Sequence, residues 1–219
     1  VIRKWLGECR FAQHEDGKVS NIAPKNNVPS FFSGLLAGSV GWGDASIIVP
    51  YTLYKRYGDI RILEENYEMM QKWYAFLEKR AKEKPMNPLK LLKRNPYRNF
   101  TIETGIDYGE WCEPDVESTS AMRTPQGKVA TAYFAYSGKL MAEIALVLGK
   151  DEDAKHYIET AEKAKQAFRF IATTDGKIES DRQAEYIRAI AFDLLSEEEK
   201  KQAAADLNQL VIKNDYHLN

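Results

Sequence analysis

The chain has 219 residues, 44% hydrophobic and 29% charged, with a net charge of −1. That apolar content suffices for a real core, while the near-neutral charge gives no electrostatic case for nucleic acid or an anionic membrane as partner. No apolar run approaches the roughly 20 residues that cross a bilayer, and the two cysteines, Cys9 and Cys112, fit no metal, redox or disulfide spacing.

Ile2, Trp5, Leu6, Cys9 and Ala12 recur at helical spacing and predict an amphipathic first helix with Cys9 as a buried thiol. The turn residues of "HEDGKVSNIAP" end it. After a glycine-rich loop, residues 44–57 are apolar on nearly every side, the mark of a helix surrounded by others, with Pro50 removing one backbone bond and kinking it. "YGD" closes that helix. The next is a surface helix: Leu63, Tyr67, Met70, Tyr74 and Leu77 form one stripe, and Glu64, Glu65, Glu68, Gln71, Lys72 and Glu78 face away.

Residues 82–100, basic and carrying three prolines, break the rhythm and read as a surface excursion. The alternation then resumes. "VATAYFAYSGKLMAEIALVLG" is apolar on most faces, and "DEDAKHYIETAEKAKQAFRFI" carries the single stripe Ala154, Tyr157, Ile158, Ala161, Phe168 and Ile171. "QAEYIRAIAFDLL" is again largely apolar. The last helix opens with Ser196 and Glu199 in capping-box spacing. The words "DGKVSN" and "DGKIES" recur after two outer helices. No strand of convincing length interrupts the series. The expected fold is all-α, built of helical hairpins with one helix inside and one outside. An open solenoid and a closed α/α toroid both fit, and the all-round apolar character of the inner helices favours the toroid.

In that arrangement the longer loops precede the inner helices and gather at one end. The first carries Trp42 and Asp44. The second, "ETGIDYGEWCEPD", carries Asp107, Tyr108, Glu110, Trp111, Glu113 and Asp115; the third carries Glu179, Asp181, Arg182 and Gln183. Aromatic faces interleaved with carboxylates suit a sugar, because rings pack on the C–H faces of a pyranose while acids accept its hydroxyl hydrogens. The plain reading stays open beside this one. Asp44 and Asp181 also suit helix caps, and Trp42 also suits plain packing over the core. His14, His156 and His217 have no ligand spacing, so no metal is expected, and no glycine-rich phosphate loop follows a strand. No cofactor is expected.

"GWGDASIIVPYTLYKRYGDIRILEENYEMMQKW" closely resembles the catalytic domain of bacterial α-L-rhamnosidases, inverting glycoside hydrolases with an (α/α)6 barrel. So do "FAQHEDGKVSNIAP" before it and "VATAYFAYSGKLMAEIALVLGKDEDAKHYIETAEKAKQAF" after it, with "RQAEYIRAIAFDLL" and "DYHLN" continuing in order. The resemblance implies that residues 1–219 are the central part of one such barrel, both ends of which lie outside the chain. The general acid would then fall upstream of Val1 and the general base downstream of Asn219, leaving no catalytic residue here. The substrate-binding residues it points to are Trp42, Asp44, Asp107, Glu110 and Trp111, with the two tryptophans stacking on or enclosing the rhamnose. One departure stands out: where the family usually has Gly-Asp-Trp, this chain has Gly109, Glu110 and Trp111.

The expected partner is therefore a carbohydrate, an α-L-rhamnoside, with neither nucleic acid nor membrane involved. A barrel cut open exposes inner apolar faces, so self-association is also expected. Two alternatives remain at this point: a helical-hairpin binding module without chemistry, and an α/α-toroid glycosidase for another sugar.

Overall fold

The computed structural model describes residues 1–24, 37–85, 94–110 and 126–218. They form seven α-helices: α1 (Ile2–Ala12), α2 (Ala45–Tyr57), α3 (Arg61–Lys82), α4 (Gly127–Val147), α5 (Asp151–Ala172), α6 (Gln183–Ala191) and α7 (Glu197–Lys213). Among the described residues there is no strand, only an isolated bridge between Thr174 and Lys177. The pairs α2/α3, α4/α5 and α6/α7 pack as hairpins; α2 also packs on α4, and α1 on α3. Inner and outer helices thus alternate as the periodicity predicts.

The stripe on α3 is real. Leu63, Met70, Tyr74 and Leu77 are all fully buried and Tyr67 nearly so. Helix α4 behaves as an inner helix, burying residues on most of its faces, Phe134, Leu140, Met141 and Ile144 among them. Helix α2 does so only in part. Ser46, Ile47 and Pro50 are buried, but Ile48, Val49, Tyr51, Leu53 and Tyr54 are half-buried and Thr52, Lys55 and Arg56 exposed. The reason is that α3 and α4 cover one side of it, and no other described helix packs closely on the far side. Pro50 sits within the helix.

On α5, Ala154, Tyr157, Ala161 and Phe168 face the core, whereas Ile158 departs from its expected place and is 52% exposed. With Leu146 it lines a cleft of about 440 Å³ between α4, α5 and the turn after α6. The recurring loop words fold alike in one respect, since Val19 and Ile178 are both buried. Cys9 is buried, and burial pushes its thiol up to about 11. Of residues 82–100, 86–93 lie outside the described residues. The segment that follows returns to the body, with Tyr97 against Phe170 of α5 and the Phe100 ring under Lys163 of the same helix.

Helix α7 opens with the capping box that its spacing predicts. The Glu199 amide donates to Ser196 Oγ, and the Ser196 amide donates to Glu199 Oε2. The turn ahead of it is held by Asp193, whose carboxylate accepts from Lys200 at 2.7 Å and Lys139 at 3.1 Å. Lys200 first, then Lys139, hold that carboxyl at about 2, below its ordinary 3.8. A depressed carboxylate contributes stability above its unfolded pKa and loses it as pH falls through the folded one. Asp193→Asn is therefore expected to remove a component that the native protein keeps above pH 4 and loses toward pH 2. The component is at most about 1 kcal/mol, because both partners reach solvent. Urea unfolding of both proteins across that window checks it, and parallel pH curves would refute it.

Candidate functional site

Three loops lead into the inner helices: residues 37–44 into α2, 101–110 toward α4, and 174–182 into α6. The first two meet. Tyr108 donates its amide to Ser39 Oγ at 3.0 Å, and its ring lies 4.6 Å from that of Trp42, tilted by 37°. Trp42 is 46% exposed and so presents an open indole face at the mouths of the inner helices.

Asp44 is fully buried. It occupies the N-cap position of α2 without a side-chain capping bond. Instead Oδ2 accepts from the Gly41 amide at 2.7 Å, and Oδ1 accepts from Trp73 Nε1 at 3.1 Å and Ser137 Oγ at 2.5 Å. Burial raises its carboxyl above the ordinary range, against the pull of these donors. Asp107 is buried as well. It accepts from the Val40 amide at 2.7 Å and forms a two-pronged pair with Arg80, both contacts at 3.0 Å. Both acids thus turn inward, toward the backbone of the loop that carries Trp42.

Glu110 turns elsewhere. Its carboxylate pairs with Arg188 on α6, whose side chain is only 9% exposed. Burial lowers that guanidinium to about 10, which leaves it charged at neutral pH. A second pair also ends on α6, where Glu185 accepts from Lys128 of α4 at 3.0 Å. A longer acid at position 110 thus has a cationic partner on the next inner helix.

Trp111, Cys112, Glu113 and Asp115 lie outside the described residues. In the third loop, Glu179 and Asp181 are exposed, and the N-cap position of α6 is held by Arg182, with no side-chain capping bond, so Asp181 does not cap that helix. Gln183 is buried and donates to the His217 carbonyl at 2.8 Å.

Sequence reasoning missed Arg80, Trp73, Ser137 and Arg188. Arg80 carried a signal. The apolar stripe of α3, continued three residues past Leu77, lands on it, and a cation on a buried stripe demands a partner.

Inner and outer hairpins, with an aromatic and acidic rim where the inner helices begin, define the class of α/α-hairpin toroid domains. The chain belongs to the family of the bacterial alpha-L-rhamnosidase 6 hairpin glycosidase domain, whose match spans residues 1–219. It is 32% identical over 219 residues to an alpha-L-rhamnosidase of Streptomyces avermitilis, and 32% identical over 217 residues to one of Formosa agariphila. It covers 99% and 98% of itself in these matches and 18% and 21% of the relatives, so it spans about a fifth of their length. Among solved structures it superposes on the Streptomyces avermitilis alpha-L-rhamnosidase complexed with L-rhamnose with a TM-score of 0.77. The identity there is 31%, over 99% of this chain and 18% of that one. The alpha-L-rhamnosidase of Dictyoglumus thermophilum gives the same TM-score at 28% identity, over 99% and 22%. The hairpins are accordingly part of an (α/α)6 toroid.

Proposed function

We propose that this domain works in the inverting hydrolysis of terminal α-L-rhamnosides and supplies one wall of the sugar pocket. The observation that carries the reading is the Trp42–Tyr108 ring pair, open to solvent where two inner-helix loops meet, in a chain of this family. Trp42 would pack on the C–H face of the sugar, with Trp111 enclosing it and Glu110 accepting a hydroxyl hydrogen while Arg188 holds it. Asp44 and Asp107 would act on the sugar through the loop they hold. A relative solved with L-rhamnose bound supports the choice of sugar.

The acid and base belong to residues outside this chain. One carboxylic acid would protonate the leaving oxygen while a second carboxylate activates water, the two roughly 6.5–9.5 Å apart as inversion requires. The test uses the longer protein that carries the domain, assayed on a panel of aryl glycosides with the released anomer followed by NMR. Selective cleavage of the α-L-rhamnoside, with the β anomer appearing first, is the expected result. Cleavage of a different glycoside would reassign the sugar, and inactivity of a folded protein on every glycoside would favour a binding module. The 219 residues alone are expected to give no turnover; turnover would place the acid and base within them.

A further inference from the structure

We propose that Arg80 is a positioning residue for the sugar-binding rim, acting from the outer helix α3 on the loop that carries Trp42. This rests on the reading of Trp42 as a sugar platform.

Arg80 is 4% exposed, and its guanidinium reaches four acceptor atoms. Nη1 donates to the Gly38 carbonyl at 3.2 Å and to Asp107 Oδ1 at 3.0 Å; Nη2 donates to Asp107 Oδ2 at 3.0 Å and to the Thr104 carbonyl. One side chain therefore binds both loops of the rim at once. Asp107 extends its reach by accepting the Val40 amide, and the next amide, Gly41, goes to the other buried carboxylate, Asp44. Two consecutive N–H groups thus point at two different buried acids, and the residue that follows them is Trp42. The donors opposite those acids include Trp73 and Arg80, seven residues apart on α3, which is two turns along one face.

Trp42 is 46% exposed, and its aromatic neighbour among the described residues is Tyr108, which the same Arg80–Asp107 assembly carries on the second loop. The platform's attitude is therefore set through the backbone of residues 38–41. Arginine suits this task because its planar fork offers several fixed donors, whereas a lysine ammonium is a single point with three. The chain also makes room for it. A Cβ at Gly105 would lie 2.5 Å from Arg80 Nη2.

The experiment uses the longer protein that carries the domain and compares wild type, Arg80→Lys, Trp42→Ala and the double variant. It measures the inhibition constant of L-rhamnose and the kcat and KM of an aryl α-L-rhamnoside, at temperatures well below each melting point. Trp42→Ala is expected to weaken L-rhamnose about tenfold, the loss of roughly one aromatic contact. Arg80→Lys is expected to raise the constant severalfold. The double variant should be no weaker than Trp42→Ala alone, because a residue acting through Trp42 has nothing left to act on.

An Arg80→Lys protein with a lower melting point but an unchanged inhibition constant overturns the inference, as does full additivity in the double variant. An unchanged constant in Trp42→Ala overturns the platform reading itself, so the two failures are distinct. Should Arg80→Lys not fold, native-state hydrogen exchange of the wild type decides. Val40 and Gly41 amides protected as strongly as those of α3 support the clamp, and exchange at the rate of an open loop overturns it.

Discussion

Asp107→Ala is expected to destabilise the domain by about 3–5 kcal/mol, the range for breaking a buried ion pair from one side. The side chains of Arg80 and Asp107 are 5% and 1% exposed, so removing the acid leaves a guanidinium with neither its counter-charge nor water. The Val40 amide loses its acceptor in the same step, which adds the penalty of an unpaired buried donor. Exposed pairs of the same chemistry, such as Arg61 with Asp59, should contribute far less, because water screens both charges. Replacing both partners by apolar residues, Arg80→Met with Asp107→Leu, should recover much of the loss, since the desolvation of both charges then disappears. Recovery stays incomplete because the Gly38 and Thr104 carbonyls and the Val40 amide remain without partners. Urea unfolding of the three proteins measures each value. A loss below about 1 kcal/mol for Asp107→Ala would mean that water reaches Arg80 and that the pair behaves as a surface one.

Outer helices were the most legible part of the chain, because their burial pattern is periodic. The stripe from Leu63 to Leu77 and the Ser196–Glu199 box follow from spacing alone. Inner helices were less so. An apolar helix such as α2 has the composition of a core element, but whether Val49 or Leu53 is covered depends on neighbours that local sequence does not name. Ile158 shows the same limit on α5, where an apolar residue on the stripe borders a cleft. In the rim, the sequence located Trp42, Asp44 and Asp107 but not their partners. Asp44 meets Trp73 and Ser137, 29 and 93 residues away, and nothing local distinguishes a carboxylate so engaged from one that caps a helix. Glu110 is the instructive case. Its departure from the family's usual acid was visible, while its reason, Arg188 on α6, came only with the fold.

The word "GWGDA" also contains a steric requirement that reads as a mutation. A Cβ built on Gly43 would stand 2.3, 2.5 and 2.6 Å from Cη2, Cζ2 and Cζ3 of Trp73. That indole has nowhere to go. It is fully buried, its Nε1–H is engaged by Asp44 at 3.1 Å, and Phe76 packs against it with centroids 5.4 Å apart. Gly43→Ala is therefore expected to cost about 3 kcal/mol, the upper end of overpacking, and to raise the KM for an α-L-rhamnoside, since it displaces the residue between Trp42 and Asp44. Gly58→Ala makes the contrast. A Cβ there meets nothing within 4 Å, so only its left-handed backbone, φ 68°, opposes the change, at about 1 kcal/mol. Trp73→Phe trims the ring edge that meets Gly43 but also removes the N–H that Asp44 accepts. It should therefore destabilise on its own yet relieve Gly43→Ala, so the double variant loses less than the sum of the single ones. Simple additivity would mean that the loop, not the indole, yields to the new methyl group, and the rim aromatics would then be free to shift without disturbing the core.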